Sequence, residues 1–113
     1  FSRTKEHYSN LYFGASITAL TDLAKSKGYS LVGSNTAGNN IFFVRNDLLG
    51  GLVVLSPQNA WIESRFRESI NKSGNLSFLS VDERLALVSD MPLINLSDGQ
   101  QYPVNELYSI KAV

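Results

Sequence analysis

Between Ser16 and Val44 the chain carries three consecutive elements with clear punctuation, and this run constrains the fold more than any other part of the sequence. Ser16 stands at an N-cap position, and Ile17, Ala19, Leu20, Leu23 and Ala24 follow at helical spacings. Lys25 and Lys27 sit against the negative end of the helix dipole, and Gly28 supplies the left-handed residue that stops a helix. The pattern predicts a helix over about Ile17 to Lys27. Two strands are predicted after it, Tyr29 to Gly33 and Ile41 to Val44, separated by the polar run Ser34 to Asn40. That connection is too short for a parallel crossover, so the strands are expected to be antiparallel. The unbroken apolar run Ile41-Phe42-Phe43-Val44 reads as a strand covered on both faces.

The flanking sequence is less regular. Phe1 to Phe13 shows no period and reads as an extended lead-in. Leu52 to Leu55, after Gly50 and Gly51, reads as a short strand or a packed loop. Ser56-Pro57 marks a helix start, leading into a half-exposed helix from Gln58 to about Arg67. Asn71 to Asn75 is a loop, and Leu76, Phe78 and Leu79 point to a short strand. Ser80 with Glu83 three residues on forms a capping box for a last helix, which Asp90 to Pro92 ends. Asp98-Gly99 between apolar segments, Leu93 to Leu96 and Tyr102 to Leu107, predicts a terminal hairpin. A chain of 113 residues has room for one domain or a piece of a larger one. Its expected organisation is a lead-in over 1–13, a helix-strand-strand unit over 14–55 and a helical and hairpin extension over 56–113.

Composition excludes several function classes. Ten Lys+Arg balance ten Asp+Glu, so no electrostatic footprint for nucleic acid or an anionic membrane exists. With no cysteine and a single histidine, sulfur-built metal sites, thiolate nucleophiles and multi-histidine centres are ruled out. No apolar run approaches the ~20 residues that cross a bilayer, and no basic-apolar-small leader opens the chain. A cytoplasmic location is expected. Beginning at Phe1 rather than Met, the sequence reads as a processed protein or a fragment.

Few side chains offer chemistry. His7 is the one group suited to unperturbed acid-base work near neutrality, although between Glu6 and Tyr8 it reads most simply as a peripheral histidine. The loop Ser34-Asn35-Thr36-Ala37-Gly38-Asn39-Asn40 is the densest cluster of uncharged donors and acceptors. Such a loop at a strand end can hold a ligand, or its asparagines can satisfy their own backbone. It is neither a Gly-x-Gly-x-x-Gly nor a Walker loop. Glu63, Arg65, Arg67 and Glu68 alternate in sign as a solvated helix face does. Asn-x-Ser triplets at Asn71, Asn75 and Asn95 are close to the roughly 1.7 that this composition yields by chance, and carry no conclusion on glycosylation.

Taken together, Tyr12-Phe13-Gly14-Ala15-Ser16, Ala19-Leu20-x-x-Leu23-Ala24-x-x-Lys27-Gly28-Tyr29-x-Leu31-Val32-Gly33 and Asn35-x-x-Gly38-x-Asn40-x-Phe42-Phe43-Val44 form one extended pattern. It resembles the C-terminal part of FkbM-like S-adenosylmethionine-dependent methyltransferases, a family with many bacterial members. The likeness is dense from about Tyr12 to Leu48 and loose past Leu55. It implies an α/β fold, the C-terminal part of a Rossmann-like methyltransferase, with this helix and strand pair closing the sheet. The family's glycine-rich strand end and the acidic residue that grips the cofactor ribose have no counterpart here. The chain is therefore expected to hold no S-adenosylmethionine and to be inactive alone, the cofactor belonging to a longer parent. The resemblance places Tyr12, Asn35, Asn39 and Asn40 on the acceptor side as orienting hydrogen-bond groups, with no catalytic or metal-binding residue in this chain. Methyl transfer depends chiefly on aligning the acceptor with the sulfonium carbon. The competing reading is a non-catalytic interaction or dimerisation module. The expected partner is the rest of the parent protein or a second copy; on the module reading the chain dimerises or packs on a partner through Ile41 to Val44 or Leu52 to Leu55.

Overall fold

The structure, a computed structural model, describes residues 1–108. Its elements in chain order are α1 (Arg3–Glu6), α2 (Ile17–Ser26), β1 (Tyr29–Ser34), β2 (Ile41–Arg45), a 3-10 turn (Asn46–Leu48), α3 (Pro57–Ala60), α4 (Val81–Leu87), β3 (Pro92–Asn95), β4 (Gln100–Pro103) and α5 (Val104–Leu107). The fold is mixed α/β, with two small antiparallel sheets and five α-helices among the described residues. It divides into two units, Gly14–Phe66 and the rest, Phe1–Phe13 with the chain from Arg67 onward.

The Gly14–Phe66 unit is built around α2. The Ser16 hydroxyl accepts the Ala19 amide at 3.1 Å, filling one donor that the first turn leaves orphaned. At the other end the Lys27 amide bonds back to Ala24, and Gly28 follows at φ +82°, as the sequence predicts for a glycine stop. Thr21 and Ala24 are the buried positions of α2, Leu31 of β1 is 1% exposed, and Ala60 of α3 is 3% exposed. The small residues at 24 and 60 let α2 and α3 approach β1 around Leu31. The strands pair antiparallel, as expected, from Tyr29 opposite Arg45 to Ser34 opposite Ile41, with a register shift between Leu31 and Gly33.

Two expectations in this unit are corrected. β2 is not covered on both faces: Phe42 is 52% exposed, and no β2 residue is buried. Of the two forms expected for Leu52 to Leu55 the chain takes the loop, joined to β1 by the Leu55 amide on the Leu31 carbonyl at 2.9 Å. The helix opened by Ser56 and Pro57 is real but stops after one turn, at Ala60, instead of running to Arg67. Trp61 adopts an extended conformation, φ −65° and ψ 130°, and the chain continues as an irregular extended segment. The cause is tertiary: the Arg65 amide, which a longer helix would turn back on Trp61, donates to the Ala37 carbonyl at 3.0 Å.

In the other unit the lead-in is not wholly extended, since Arg3–Glu6 makes one helical turn. Ser9 and Ser69 are fully buried, and Val88 and Val104 complete the apolar interior. The Ile70 amide donates to the Ser9 carbonyl at 3.1 Å, which ties the N-terminal segment to the chain after Arg67. Residues 76–79 do not make a strand: a single bridge joins Ile70 and Leu76, and Phe78 has φ +48°. The capping box forms as predicted, with the Glu83 amide on the Ser80 hydroxyl at 3.2 Å and the Ser80 amide on the Glu83 carboxylate at 3.3 Å. The hairpin of β3 and β4 also forms, pairing Leu93 with Tyr102 and Asn95 with Gln100, but past Pro103 the chain turns into α5. The last residues of the expected extension, 109–113, lie outside the described residues.

Candidate functional site

The polar turn between β1 and β2 is organised by one residue. Asn35 Oδ1 accepts the backbone amides of Asn39 and Asn40, each at 3.1 Å, and its Nδ2 donates to Asn39 Oδ1 at 2.6 Å. Its own amide donates to the Asn40 carbonyl at 3.1 Å, and its carbonyl accepts Gly38 at 3.1 Å. Every polar group of Asn35 is thus spent inside the turn. The amide side chain of Asn40 and Nδ2 of Asn39 make no hydrogen bond among the described residues, and both residues are exposed.

The turn is braced from behind by the segment after α3. The Ser34 hydroxyl donates to the Ala60 carbonyl, and the Arg65 amide donates to the Ala37 carbonyl. Between those anchors Gly38, at φ +70°, lies so close to the chain that a Cβ would stand 2.6 Å from the Ile62 carbonyl oxygen and 2.5 Å from that of Glu63. Only glycine fits both the left-handed backbone and the gap. Trp61 sits between the anchored residues Ala60 and Ile62, and 59% of it is exposed while Ala60 is buried.

The structure therefore brings Asn35, Asn39 and Asn40 together on one turn, with Asn35 as the frame and the other two facing water. Tyr12 belongs to the other unit, where its hydroxyl donates to the Pro92 carbonyl, leaving the phenol oxygen only an acceptor role toward a ligand. Trp61 was readable as one apolar position of a helix. The signal against that reading is the alternation of half-buried Ser64 and Phe66 with exposed Glu63, Arg65 and Arg67, the period of an extended segment. These charges flank no helix face, and Glu68, in the other unit, pairs with Arg3 at 3.0 Å.

His7 forms a clasp rather than a catalytic pair. Its Nδ1 accepts the Ser9 amide at 3.3 Å and lies 2.7 Å from the Ser9 hydroxyl. That hydroxyl accepts the Leu11 amide at 3.2 Å, and Ser9 is wholly buried, out of reach of a substrate. Among the described residues no three His, Cys, Asp or Glu side chains gather as a metal site, and no helix is long and apolar enough to cross a membrane. Nucleotide cofactors sit at the carboxyl ends of parallel strands, whereas both sheets here are antiparallel pairs.

Comparison with known proteins returns no match: no protein family, curated protein or solved structure aligns with this chain.

Proposed function

We propose that this chain is the acceptor-side segment of an FkbM-like, S-adenosylmethionine-dependent methyltransferase, Rossmann-like in its whole, whose cofactor half lies in the rest of a longer parent. The observation that carries the reading is the unit of α2, β1 and β2, in which a helix feeds an antiparallel strand pair whose connecting turn displays Asn39 and Asn40 to solvent. In this reading Asn35 frames the turn, Asn39 and Asn40 orient the acceptor by hydrogen bonds, and none of them is a nucleophile. The segment does no chemistry alone, because it supplies placement and the cofactor supplies the methyl group. The test is calorimetric titration of the full-length protein with S-adenosylmethionine: saturable heat is expected, and its absence at high cofactor concentration overturns the reading.

A second reading, a non-catalytic module that covers its apolar surface by self-association, is favoured by Phe42, Leu52, Val53 and Val54. Each is more than half exposed, and Val53 reaches 72%. Sedimentation velocity separates the two, since a stable dimer that binds no cofactor supports the module.

A further inference from the structure

We infer that Asp98-Gly99, at the tip of the β3-β4 hairpin, is a latent site of covalent backbone modification. It is a succinimide-forming pair that the native turn holds shut and that passes to an isoaspartate linkage once the Tyr102 contact is lost. The inference concerns this turn alone and stands whether or not a parent protein transfers a methyl group.

The sequence confines the chemistry to one place. Ring closure requires the backbone amide after an aspartate to reach the side-chain carboxyl carbon, and a side chain on that next residue obstructs the approach, whereas glycine does not. The other four aspartates precede Leu23, Leu48, Glu83 and Met91, and none of the ten asparagines precedes glycine. Asp98 alone is followed by Gly99, where a Cβ would meet nothing within 4 Å. Both residues are exposed, so solvent water reaches the site.

The reaction balances with water as its only co-reactant. The Gly99 nitrogen attacks Asp98 Cγ, a C–N bond forms, and the carboxyl hydroxyl leaves with the amide hydrogen as water. Water then opens one of the two C–N bonds of the ring. Breaking the new bond restores aspartate. Breaking the original peptide bond leaves the chain running through Cβ and Cγ, one backbone carbon longer, with a free α-carboxylate.

In the native turn every participant is engaged. The attacking Gly99 amide donates to the Asn95 carbonyl at 2.8 Å. Asp98 Oδ1 accepts the Gln100 amide at 2.8 Å, and Oδ2 accepts the Tyr102 hydroxyl at 2.6 Å. These bonds, the Tyr102 one foremost, favour the ionised carboxyl, and a carboxylate has no hydroxyl to lose. They also tie down both oxygens of a group that must rotate for the ring to close. Asn95 is itself fixed, since its Oδ1 accepts the Ser97 amide at 2.9 Å and its backbone pairs with Gln100. A hairpin turn is matched to its loop length, so the added carbon of isoaspartate shifts Gly99 from the Asn95 carbonyl and moves the carboxylate from the side chain that Gln100 and Tyr102 hold. Isomerisation leaves a turn that does not re-form its own lock.

The test compares three samples of the full protein incubated at physiological temperature and neutral pH: native wild type, wild type unfolded in guanidinium chloride, and native Tyr102→Phe. Isoaspartate at position 98 is quantified by mass spectrometry of the digested chain, with electron-transfer fragmentation to distinguish the two backbone linkages. The native protein should isomerise about tenfold more slowly than the unfolded chain, because the Gly99 and Asp98 hydrogen bonds must open first. Tyr102→Phe should fall between them while its hairpin amides stay protected from exchange. Equal rates in native and unfolded wild type overturn the inference, and this comparison decides the matter even where the variant loses the hairpin. A folded Tyr102→Phe that isomerises at the native wild-type rate also overturns it, as does an unfolded chain in which position 98 reacts no faster than Asp22, Asp47, Asp82 and Asp90.

Discussion

Gly38 and Glu63 touch backbone to backbone: a methyl group at 38 would stand 2.5 Å from the Glu63 carbonyl oxygen, inside any real contact distance. The contact brings residues 25 positions apart into one surface, and it explains why α3 ends at Ala60, since the chain beyond must stay extended to lie along the turn. Gly38→Ala should therefore destabilise by about 2–4 kcal/mol, combining the left-handed penalty with backbone overlap. Gly99→Ala is the matched control, because Gly99 has the same φ of +70° but open space around it. There only the conformational penalty of about 1–2 kcal/mol applies. Denaturant midpoints of the two variants measure the difference.

Asn35→Ala removes the acceptor for two turn amides and should cost about 1–2 kcal/mol. Hydrogen exchange at the Asn39 and Asn40 amides should accelerate while exchange at Leu31 is little changed. Asn35→Asp keeps the acceptor and loses only the donor to Asn39 Oδ1, so it should lie between wild type and Asn35→Ala.

Ser80→Ala opens the capping box of α4 and should cost about 1 kcal/mol, the usual scale for a lost N-cap. Glu83→Gln keeps a side-chain oxygen for the Ser80 amide and should stay within about 0.5 kcal/mol of wild type. Thermal unfolding of both variants checks the pair.

The β3-β4 turn carries a pH-dependent contact. The Tyr102 hydroxyl donates to Asp98 Oδ2 at 2.6 Å, and this bond, helped by the Gln100 amide, holds the Asp98 carboxyl below its ordinary 3.8. The same bond raises the Tyr102 phenol above its ordinary 10.0. The contact requires ionised Asp98 and protonated Tyr102. Its contribution is complete between those ordinary values, falls as pH drops below 3.8 through the lowered carboxyl value, and falls as pH rises above 10.0 through the raised phenol value. Tyr102→Phe should flatten both arms, as followed by hairpin amide exchange across the pH range.

How far this was legible in the sequence depends on the range of the interaction that decides each element. α2, the capping box of α4 and the β3-β4 hairpin rest on local chemistry: the Ser16 and Ser80 caps, Gly28, and Asp98-Gly99. All were predicted. The antiparallel pairing of β1 and β2 followed from the shortness of their connection. The predicted helix from Gln58 to Arg67 failed because the Arg65 amide found the Ala37 carbonyl, a partner no local pattern shows. The covered β2 failed for a related reason, since a run of four apolar residues does not reveal that Phe42 remains half in water. Among the candidate site residues, the clustering of Asn35, Asn39 and Asn40 was visible as sequence proximity. Their division into a spent frame and two free amides was not, nor was the backbone approach of Ile62 and Glu63 to Gly38, which depends on where the chain goes after Ala60.

The most direct test of the acceptor-side reading is calorimetric titration of the full-length protein with S-adenosylmethionine, run on the wild type and on an Asn39→Ala/Asn40→Ala double variant. The account predicts saturable heat of the same size in both, because the two amides serve the acceptor and not the cofactor. No saturable heat with the wild-type protein would contradict it.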